Sequence, residues 1–509
     1  MPSFLRAALL MAALPSASPA QAADDHSAVR RTIQHYFDGW ATGDTVLLGR
    51  AMHASCHLKR SVDGKFVDMT REQYLAIQRP HARDSTLTTR VASVDIVGPI
   101  ASARAHINIG QSTFVDYFNL LKTDEGWFIV DKVSTRVDRI PDAPTDVGSN
   151  RAAMPVEETV LDSLRRPWSM AFLSETEALI SEKEGALLRV NLDTRTRTPI
   201  RGFPADLADS MPFFHPGDNS GRFDVVLDPD FSGNRLLYMT YVASNGRGRT
   251  LKLIRARLRG DSLVDIRPLF TAEPYSADRV HYGGGLVIGS DGLLYLTVGG
   301  RLFSEADEPA LPISQDIRDR RGKIYRFNRD GSIPAGNPTF GTGSVPGLFA
   351  LGIRASQGLA VHPVTREIWF SEHGTHQGDE LNVLQPGANY GWPLRTTGRY
   401  RDTAFVPPAA QGPLTDPAWS WPHTVAPTGP VFYTGSEFPT WQNSFLVGGL
   451  SRGSLWRMTV NGHRVVAAEE LLVDRRQRVR KVVQSPGGAL YFLTDYMNGR
   501  LVRLRNAQR

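Results

Sequence analysis

The chain has 509 residues, more than a single hydrophobic core usually serves, so two or more domains are expected. It carries 58 Lys and Arg against 52 Asp and Glu, a net charge of +6, with the arginines scattered among acids. Nucleic-acid binders show a basic face and a matching fold signature, and this sequence shows neither, which argues against nucleic acid as a partner. Cys56 is the only cysteine, so no intrachain disulfide can form, and a buried, inert thiol is expected there.

The first 23 residues have the pattern of a secretory signal peptide. Arg6 precedes an apolar run over 7–14, and Ala20-Gln21-Ala22 offers a small-x-small cleavage site. No later apolar stretch has the length of a membrane span. We therefore expect a soluble protein that is exported to the periplasm or secreted.

Residues 24–140 predict a small α+β domain. Apolar residues recur at helical spacing between His26 and Trp40, and Thr70 caps a second helix that reaches Gln78. Alternating strands then follow at Thr86–Val97, Ala101–Asn108, Ser112–Thr123 and Gly126–Arg136.

This segment resembles the NTF2-like superfamily, in particular its lumazine-binding group. The resemblance rests on Tyr36, Gly39, Gly43 and Asp44 in the opening helix and on the closing phrase at 126–132. It implies a cone-shaped fold that either encloses a ligand pocket or pairs with a second copy as a homodimer, and a packing or pairing module is the simpler interpretation. Residues 141–155, rich in Pro, Gly, Ser and Asn, are predicted to be a linker.

A strand-turn-strand phrase returns along residues 156–509. Each copy is a short apolar run, a turn of Gly, Pro, Asp or Ser, and a second apolar run, which is typical of a tight hairpin. One hairpin per copy suits the blades of a β-propeller, whose ligands gather at the mouth of the central channel. The copies begin at Pro167, Phe223, Gly285, Gly358 and Lys481.

Four phrases between these hairpins resemble the soluble glucose/sorbosone dehydrogenase family. They are Leu351–Leu359, Glu372–Asn382, Asn389–Pro393 and Arg478–Arg480, in the family's order. The resemblance covers nearly all of residues 156–509. It implies a six-bladed propeller that holds pyrroloquinoline quinone (PQQ), oxidises aldose sugars to lactones and passes electrons to a periplasmic acceptor.

Oxidation at an anomeric carbon removes a hydroxyl proton while a hydride leaves for the quinone. A neutral imidazole suits that proton transfer, because its ordinary pKa of about 6.5 lies near working pH. His281 stands where the family keeps its base, and the glycines that follow it would let the backbone approach a flat cofactor.

PQQ carries three carboxylates and therefore calls for fixed cations. Arg478 and Arg480 lie two apart, on one face of a strand, and their planar forks can hold carboxylates. By the resemblance, Arg354 lies beside the reacting quinone oxygens, where it stabilises negative charge. As an alternative, Arg478 and Arg480 form an ion-pair ladder with a nearby acid such as Asp474.

The resemblance also implies calcium. Its ligands map to the backbone carbonyls of Gly374 and Thr375, and oxygen-only coordination suits that ion. His373 matches a residue that touches the cofactor, and Glu380 with Tyr390 matches a second calcium site. Zinc between His373 and His376 is disfavoured, because neither cysteine nor helical HExxH spacing accompanies them.

Aromatic residues around Trp421 resemble the family's wall over cofactor and sugar, and core packing is the competing use of that ring. The chain also departs from the family at several positions. A lysine that contacts a PQQ carboxylate is replaced, as are an asparagine, a glutamine, an arginine and an acid near the sugar; the residues present here are Ser451, Ala355, Asn219, Gly285 and Gly300.

Two other functions remain open at this point. One is a non-catalytic propeller that binds or scaffolds and has a degenerate cofactor site. The other is a calcium-dependent lactonase-type hydrolase, which would need acidic and amide side chains from several blades; no such set can be assembled from this sequence.

Overall fold

A computed structural model describes residues 19–62, 65–138, 155–208, 219–451 and 453–507. The chain divides into two compact units, Met1–Gly148 and Ser149–Arg509. Residues 1–18 of the predicted signal peptide and 141–154 of the predicted linker lie outside the described part, as does residue 452. Across the described residues, no helix combines the length and apolar character needed to cross a bilayer.

The first unit is an α+β domain, as predicted. Its elements are α1 (Pro19–Thr42), α2 (Thr45–Ala51), β1 (Met52–Val62), β2 (Lys65–Thr70), α3 (Arg71–Ala76), β3 (Thr88–Val97), β4 (Ile100–Ile109), β5 (Ser112–Thr123) and β6 (Gly126–Asp138). The six strands form one sheet in the order β2-β1-β6-β5-β4-β3, in which β1 and β6 are parallel and the other neighbours are antiparallel.

Local signals explain the helices of this unit. Thr70 and Gln73 form the capping box that begins α3, which confirms Thr70 as a cap. Helix α1 ends next to Gly43, which has a φ of +66°. Only glycine fits there, because a Cβ would lie 2.0 Å from the Arg79 carbonyl oxygen. Asp44 then caps α2. Elements α2, β1 and β2 were not predicted.

The interior of this unit holds a polar network beside its apolar core. Lys132 Nζ lies 2.6 Å from the Tyr36 hydroxyl and 3.1 Å from Asp116 Oδ2. Cys56 is fully buried, and burial raises the pKa of its thiol to about 12, so it is an inert packing residue as expected.

The second unit is a six-bladed β-propeller, as predicted. Each blade is a four-stranded antiparallel sheet. The strands are β7 (Pro155–Leu164), which joins the last blade; β8 (Pro167–Phe172), β9 (Glu177–Glu182), β10 (Leu187–Asn191) and β11 (Arg197–Ile200) in blade 1; β12 (Arg222–Leu227), β13 (Leu236–Ser244), β14 (Arg249–Arg259) and β15 (Ser262–Thr271) in blade 2; β16 (Gly283–Ile288), β17 (Leu294–Val298), β18 (Lys323–Phe327) and β19 (Leu348–Leu351) in blade 3; β20 (Ser356–Val361), β21 (Ile368–Glu372), β22 (Glu380–Val383) and β23 (Trp419–Ser420) in blade 4; β24 (Val431–Phe432), β25 (Phe445–Gly448), β26 (Leu455–Asn461) and β27 (Arg464–Leu471) in blade 5; and β28 (Val479–Gln484), β29 (Leu490–Thr494) and β30 (Gly499–Asn506) in blade 6. A short helix, α4 (Phe231–Asn234), lies within blade 2, and single 3₁₀ turns lie at Glu305–Asp307, Pro439–Trp441 and Val473–Arg475.

The two ends of the propeller meet in blade 6. Strand β7, at the start of the unit, pairs antiparallel with β30 at its end, so that Pro155 lies opposite Asn506. The last sheet therefore has the order β28-β29-β30-β7. This pairing closes the ring of blades.

The first strands of successive blades contact one another around the propeller axis. Glycines allow this approach: a Cβ on Gly284 would lie 2.4 Å from the Phe223 ring, and one on Gly285 would lie 2.9 Å from the Gly358 nitrogen. An ion pair of 2.8 Å between Asp224 and Lys481 also joins blades 2 and 6. The glycines after His281 thus allow this strand packing, and their close approach to a cofactor stays a prediction.

Candidate functional site

His281 lies in the loop between β15 and β16, with a strained φ of +49°. Its Nδ1 is 2.7 Å from the carbonyl oxygen of Leu302. A carbonyl can only accept a hydrogen bond, so Nδ1 carries the proton and Nε2 keeps its lone pair. The fold therefore holds His281 in the tautomer whose Nε2 can accept a proton.

Burial lowers the pKa of His281 well below 6.5, and the nearby Arg354, His373 and Arg401 lower it further, while the bond to Leu302 opposes the shift. The residue as a whole is half-buried. At neutral pH this side chain is an uncharged base.

Two glycines place His281 beside Arg354. A Cβ on Gly299 would lie 1.9 Å from the His281 carbonyl oxygen, so only glycine allows this approach. The next residue, Gly300, donates its backbone N–H to the Arg354 carbonyl at 2.8 Å. The end of β17 thereby lies between the loops that carry the two residues.

Arg354 is 4% exposed and follows β19. Its Nη1 donates to the Gly374 carbonyl at 2.6 Å, and its guanidinium lies 5.2 Å from the Trp392 ring centroid. Burial lowers its pKa to about 10, so the group stays charged at neutral pH. Its backbone N–H donates to Glu372, whose own pKa burial raises to about 8.

The loop after β21 is organised by Asp379, which sequence reasoning missed. One carboxylate oxygen accepts from the Gly374 N–H at 2.8 Å, and the other accepts from the Val425 and Ala426 N–H groups, both at 2.6 Å. His373 Nε2 lies 2.8 Å from the Pro427 carbonyl and must donate to it. Burial lowers the pKa of His373, although Asp379 opposes the shift.

Both carbonyls predicted to bind calcium face arginine side chains. The Gly374 oxygen accepts from Arg354, and the Thr375 oxygen accepts from Arg401 Nη2 at 3.3 Å. Within the described part of the chain, no group of three or more His, Cys, Asp or Glu side chains is arranged to hold a metal ion. Backbone carbonyls are thus the oxygen donors that this loop offers to a cation.

The side chains of Glu380 and Tyr390 form their hydrogen bonds with different partners. Glu380 accepts a hydrogen bond of 2.8 Å from the Thr397 hydroxyl. The Tyr390 hydroxyl instead donates to the Val383 carbonyl at 2.6 Å and is buried. Assignment of a second calcium site to this pair stays a prediction.

Arg478 and Arg480, at the start of blade 6, share one carboxylate. The Nη2 atoms of Arg478 and Arg480 lie 2.7 and 2.8 Å from Asp495 Oδ2. Burial opposes ionisation of Asp495, but the two arginines outweigh it and hold its pKa below the usual range. The pair therefore lies on one side of the strand, as predicted, with an acid already bound.

The two arginines differ in what remains available. Arg480 is 5% exposed, donates to Gln357 Oε1 at 2.5 Å and stacks on Trp168 at 4.2 Å. Its buried Nε donates no hydrogen bond among the described residues. The Arg478 side chain is 41% exposed, which leaves part of its fork open to a ligand.

His373 connects the two arginine groups, because Arg354 and Arg480 both act on its pKa. The structure thus brings His281, Arg354, His373 and Arg480 into one neighbourhood, with Arg478 beside them through Asp495. The ring of Trp421 is used for packing: the residue is 2% exposed and packs edge-on against Trp456 in the core between blades 4 and 5.

Sequence reasoning missed several residues that surround this neighbourhood. Lys183 is buried, lies near Arg480 and Asp495, and has its pKa lowered by burial to about 8. Glu305, 1% exposed, accepts hydrogen bonds of 3.1 Å from the backbone N–H groups of Arg401 and Asp402. No motif marks these residues, since each lies in a loop far along the chain from its contacts.

The propeller is similar to known sugar dehydrogenases. It is 33% identical over 357 residues to the aldose sugar dehydrogenase YliI of Escherichia coli, covering 68% of this chain and 92% of the relative. Quinoprotein glucose dehydrogenase B of Acinetobacter calcoaceticus is 26% identical over 435 residues, covering 70% and 88% of the two chains.

Solved structures of sugar dehydrogenases are also similar to the propeller. The apo form of the soluble aldose sugar dehydrogenase from Escherichia coli matches with a TM-score of 0.62 at 31% identity, covering 69% of this chain and all of the other. The PQQ-bound aldose sugar dehydrogenase from Streptomyces coelicolor matches with a TM-score of 0.55 at 25% identity, covering 69% and 98%.

Family models match both units. Residues 24–134 match the model described as "Putative lumazine-binding", consistent with an NTF2-like domain. Residues 164–503 match the model described as "Glucose / Sorbosone dehydrogenase". The chain belongs to the glucose/sorbosone dehydrogenase family.

Proposed function

We propose that this protein is a PQQ-dependent dehydrogenase that oxidises the anomeric hydroxyl of an aldose to a lactone. The observation that carries the proposal is a neutral His281 with its proton fixed on Nδ1, placed next to the buried cation of Arg354. A base and a cation at one site are what removal of a proton and stabilisation of developing negative charge require.

The residues of the site fit an anionic quinone. Arg480 has a buried Nε that donates no hydrogen bond within the described chain, and Arg478 is partly exposed beside it. Lys183 adds a cation near Arg480. These groups would hold carboxylates, while Arg354 would stabilise charge on the quinone oxygens. The printed names of two similar proteins, a quinoprotein and a PQQ-bound dehydrogenase, support the same cofactor.

Bound PQQ would supply the hydride acceptor. His281 Nε2 would take the proton from the anomeric hydroxyl, and the hydrogen bond from Nδ1 to Leu302 would hold the ring and stabilise its charged form. Arg354 would stabilise negative charge that develops on an oxygen beside it. His373 donates to Pro427 and so would act as a fixed neutral contact rather than as a second base.

Calcium remains part of the proposal, with the carbonyls of Gly374 and Thr375 as its protein ligands. Both oxygens now accept hydrogen bonds from Arg354 and Arg401, and a carbonyl oxygen has a second lone pair. Dialysis against a calcium chelator should lower PQQ affinity, and added calcium should restore it. PQQ affinity that is independent of calcium would remove the ion from the proposal.

Export and the role of the first domain are proposed from the sequence. Residues 1–23 would direct the protein to the periplasm, where an electron acceptor would reoxidise it. The NTF2-like domain would be a packing or pairing module. Fractionation with a cytoplasmic marker, and a mass measurement in solution, test the two statements.

The alternative is a binding or scaffold propeller with a degenerate site. One observation favours it: Asp495 already pairs with Arg478 and Arg480, while Ser451 stands where the family has a lysine. The purified full-length chain should be titrated with PQQ and calcium, followed by dye reduction with a panel of aldoses. Turnover supports the dehydrogenase, and absence of both a cofactor spectrum and turnover supports the scaffold. Lactone hydrolysis without PQQ would instead indicate a hydrolase.

A further inference from the structure

Phe303 is an exposed aromatic ring beside the proposed base. It lies in the loop after β17 and is 52% exposed, unlike the buried aromatic rings of the blade cores. Its ring is nearly parallel to that of His281, with 7° between the planes and 6.4 Å between the centroids. A sugar has a face of C–H groups that packs favourably on such a ring, so this position suits the apolar side of a pyranose.

Arg401 covers part of this ring. Its guanidinium carbon lies 4.3 Å from the Phe303 centroid, which is a cation–π contact. Its one hydrogen bond from the side chain to the described residues is the long bond to the Thr375 carbonyl. No carboxylate of the described residues forms an ion pair with it. The guanidinium therefore has donors left for a ligand.

Glu305 fixes the Arg401 backbone without neutralising its side chain. One oxygen of the Glu305 carboxylate accepts from the backbone N–H groups of Arg401 and Asp402, both at 3.1 Å. The carboxylate is buried, so it is not presented to a ligand. Glu305 thus acts as a positioning residue for the loop that carries the cation.

The charged side chains that act most strongly on the pKa of His281 are two cations, Arg354 and Arg401. The carboxylates of Glu305, Glu372 and Asp379 act on Arg354 instead. Residue 300, at the start of the same loop, is glycine and contributes no acid. A neutral sugar could accept only ordinary hydrogen bonds from Arg401, whereas a sugar carboxylate would form a charge-assisted pair with it.

We propose that Phe303 and Arg401 form a sugar subsite that selects an aldose bearing a carboxylate, that is, an aldohexuronic acid. The C–H face of the sugar rests on Phe303, its carboxylate meets the Arg401 fork, and its anomeric hydroxyl points to His281 Nε2. This inference rests on the proposed function, because it assumes that His281 serves the reacting end of the sugar.

The first test compares D-glucuronate with D-glucose on the PQQ- and calcium-loaded protein. We expect kcat/KM to favour glucuronate by about tenfold or more, the usual scale of one charge-assisted contact. Arg401→Leu should raise the KM for glucuronate about tenfold and raise the KM for glucose by a clearly smaller factor. Arg399→Leu, which removes an exposed arginine from the same loop, is the matched control and should change neither.

The second test separates the subsite from the chemistry and from the cofactor. Calorimetric titration of D-glucuronate into the full chain without PQQ should show binding that Arg401→Leu and Phe303→Ala each weaken. Phe303→Trp should preserve it, because the flat apolar surface remains. PQQ affinity should be the same in Arg401→Leu as in the unaltered protein.

The outcomes are distinguishable. Equal kcat/KM for the two sugars, or a loss of PQQ affinity in Arg401→Leu, would overturn the subsite while leaving the dehydrogenase intact. Absence of turnover with every aldose would defeat the proposed function, and the titration with glucuronate would still decide whether Arg401 binds a sugar carboxylate.

Discussion

The site contains two arginine groups that are held in opposite ways. The closest hydrogen-bond partner of the Arg354 guanidinium is the neutral carbonyl of Gly374, whereas Arg478 and Arg480 share the carboxylate of Asp495. A guanidinium held by a carbonyl keeps its charge for a ligand or for a developing anion. One held by a carboxylate is partly neutralised and gains fixed geometry instead. We interpret the first group as the reacting end of the site and the second as its anchor.

The reacting end is tested most severely by His281→Ala. General-base catalysis contributes about 10²- to 10⁴-fold, so turnover should fall by that factor while PQQ binding persists. The measurement is dye reduction at saturating sugar together with a PQQ titration. His463→Ala, which alters an exposed histidine paired with Glu367, is the control. Full turnover in His281→Ala would mean that another group accepts the proton.

The anchoring end is tested by Asp495→Asn. Removing this charge leaves the buried Arg480 without its ionic partner, which typically costs about 3–5 kcal/mol of folding free energy. Urea unfolding should show the loss, and saturating PQQ should restore part of it because a carboxylate of the cofactor would replace the missing one. If PQQ gives no greater stabilisation to the variant than to the unaltered protein, these arginines do not bind its carboxylates.

A substitution that restores a family residue sharpens the anchor further. Ser451 is exposed and donates its backbone N–H to the Val425 carbonyl. Ser451→Lys should tighten PQQ binding about tenfold, since a hydrogen bond to a charged group contributes about 1.5–3 kcal/mol. Ser451→Met, which adds length without charge, should not. Equal PQQ affinities for the two variants would show that no cofactor carboxylate reaches this position.

The smallest expected effect concerns pH. Burial and the cations around His281 hold its pKa below 6.5, so protonation competes with catalysis only in more acidic solution. The kcat/KM profile should therefore stay flat as the pH falls from about 8 to about 6.5. Arg401→Leu removes one of those cations and should move the acidic limb to higher pH. If the acidic limb of the kcat/KM profile of the unaltered protein were centred at or above pH 6.5, the pKa of His281 would not be lowered as described.

Much of the propeller was predictable, because the first strands of five blades contain short apolar runs next to tight turns. Blade 5 escaped detection since its first strand, Val431–Phe432, is only two residues long. In the first domain, β1 and β2 were missed because charged and histidine residues interrupt their apolar pattern.

The residues of the site, like the strands, were predictable only where a local motif marks them. His281 and Arg354 lie next to recognisable phrases, so the sequence could propose them as site residues. Asp495 and Arg401 act across loops, and the 96 residues between Glu305 and Arg401 hide their contact from any local pattern. Trp421 shows the converse, since an aromatic motif cannot tell a cofactor wall from a core, and this ring packs in the core.

Closure of the ring by β7 has a consequence for biosynthesis. The sheet that carries Arg480 takes its outer strand from the beginning of the propeller, so it cannot be completed until β30 has been synthesised. A truncated chain that ends after β27 would present unpaired strand edges at both open ends, which favours aggregation over partial function.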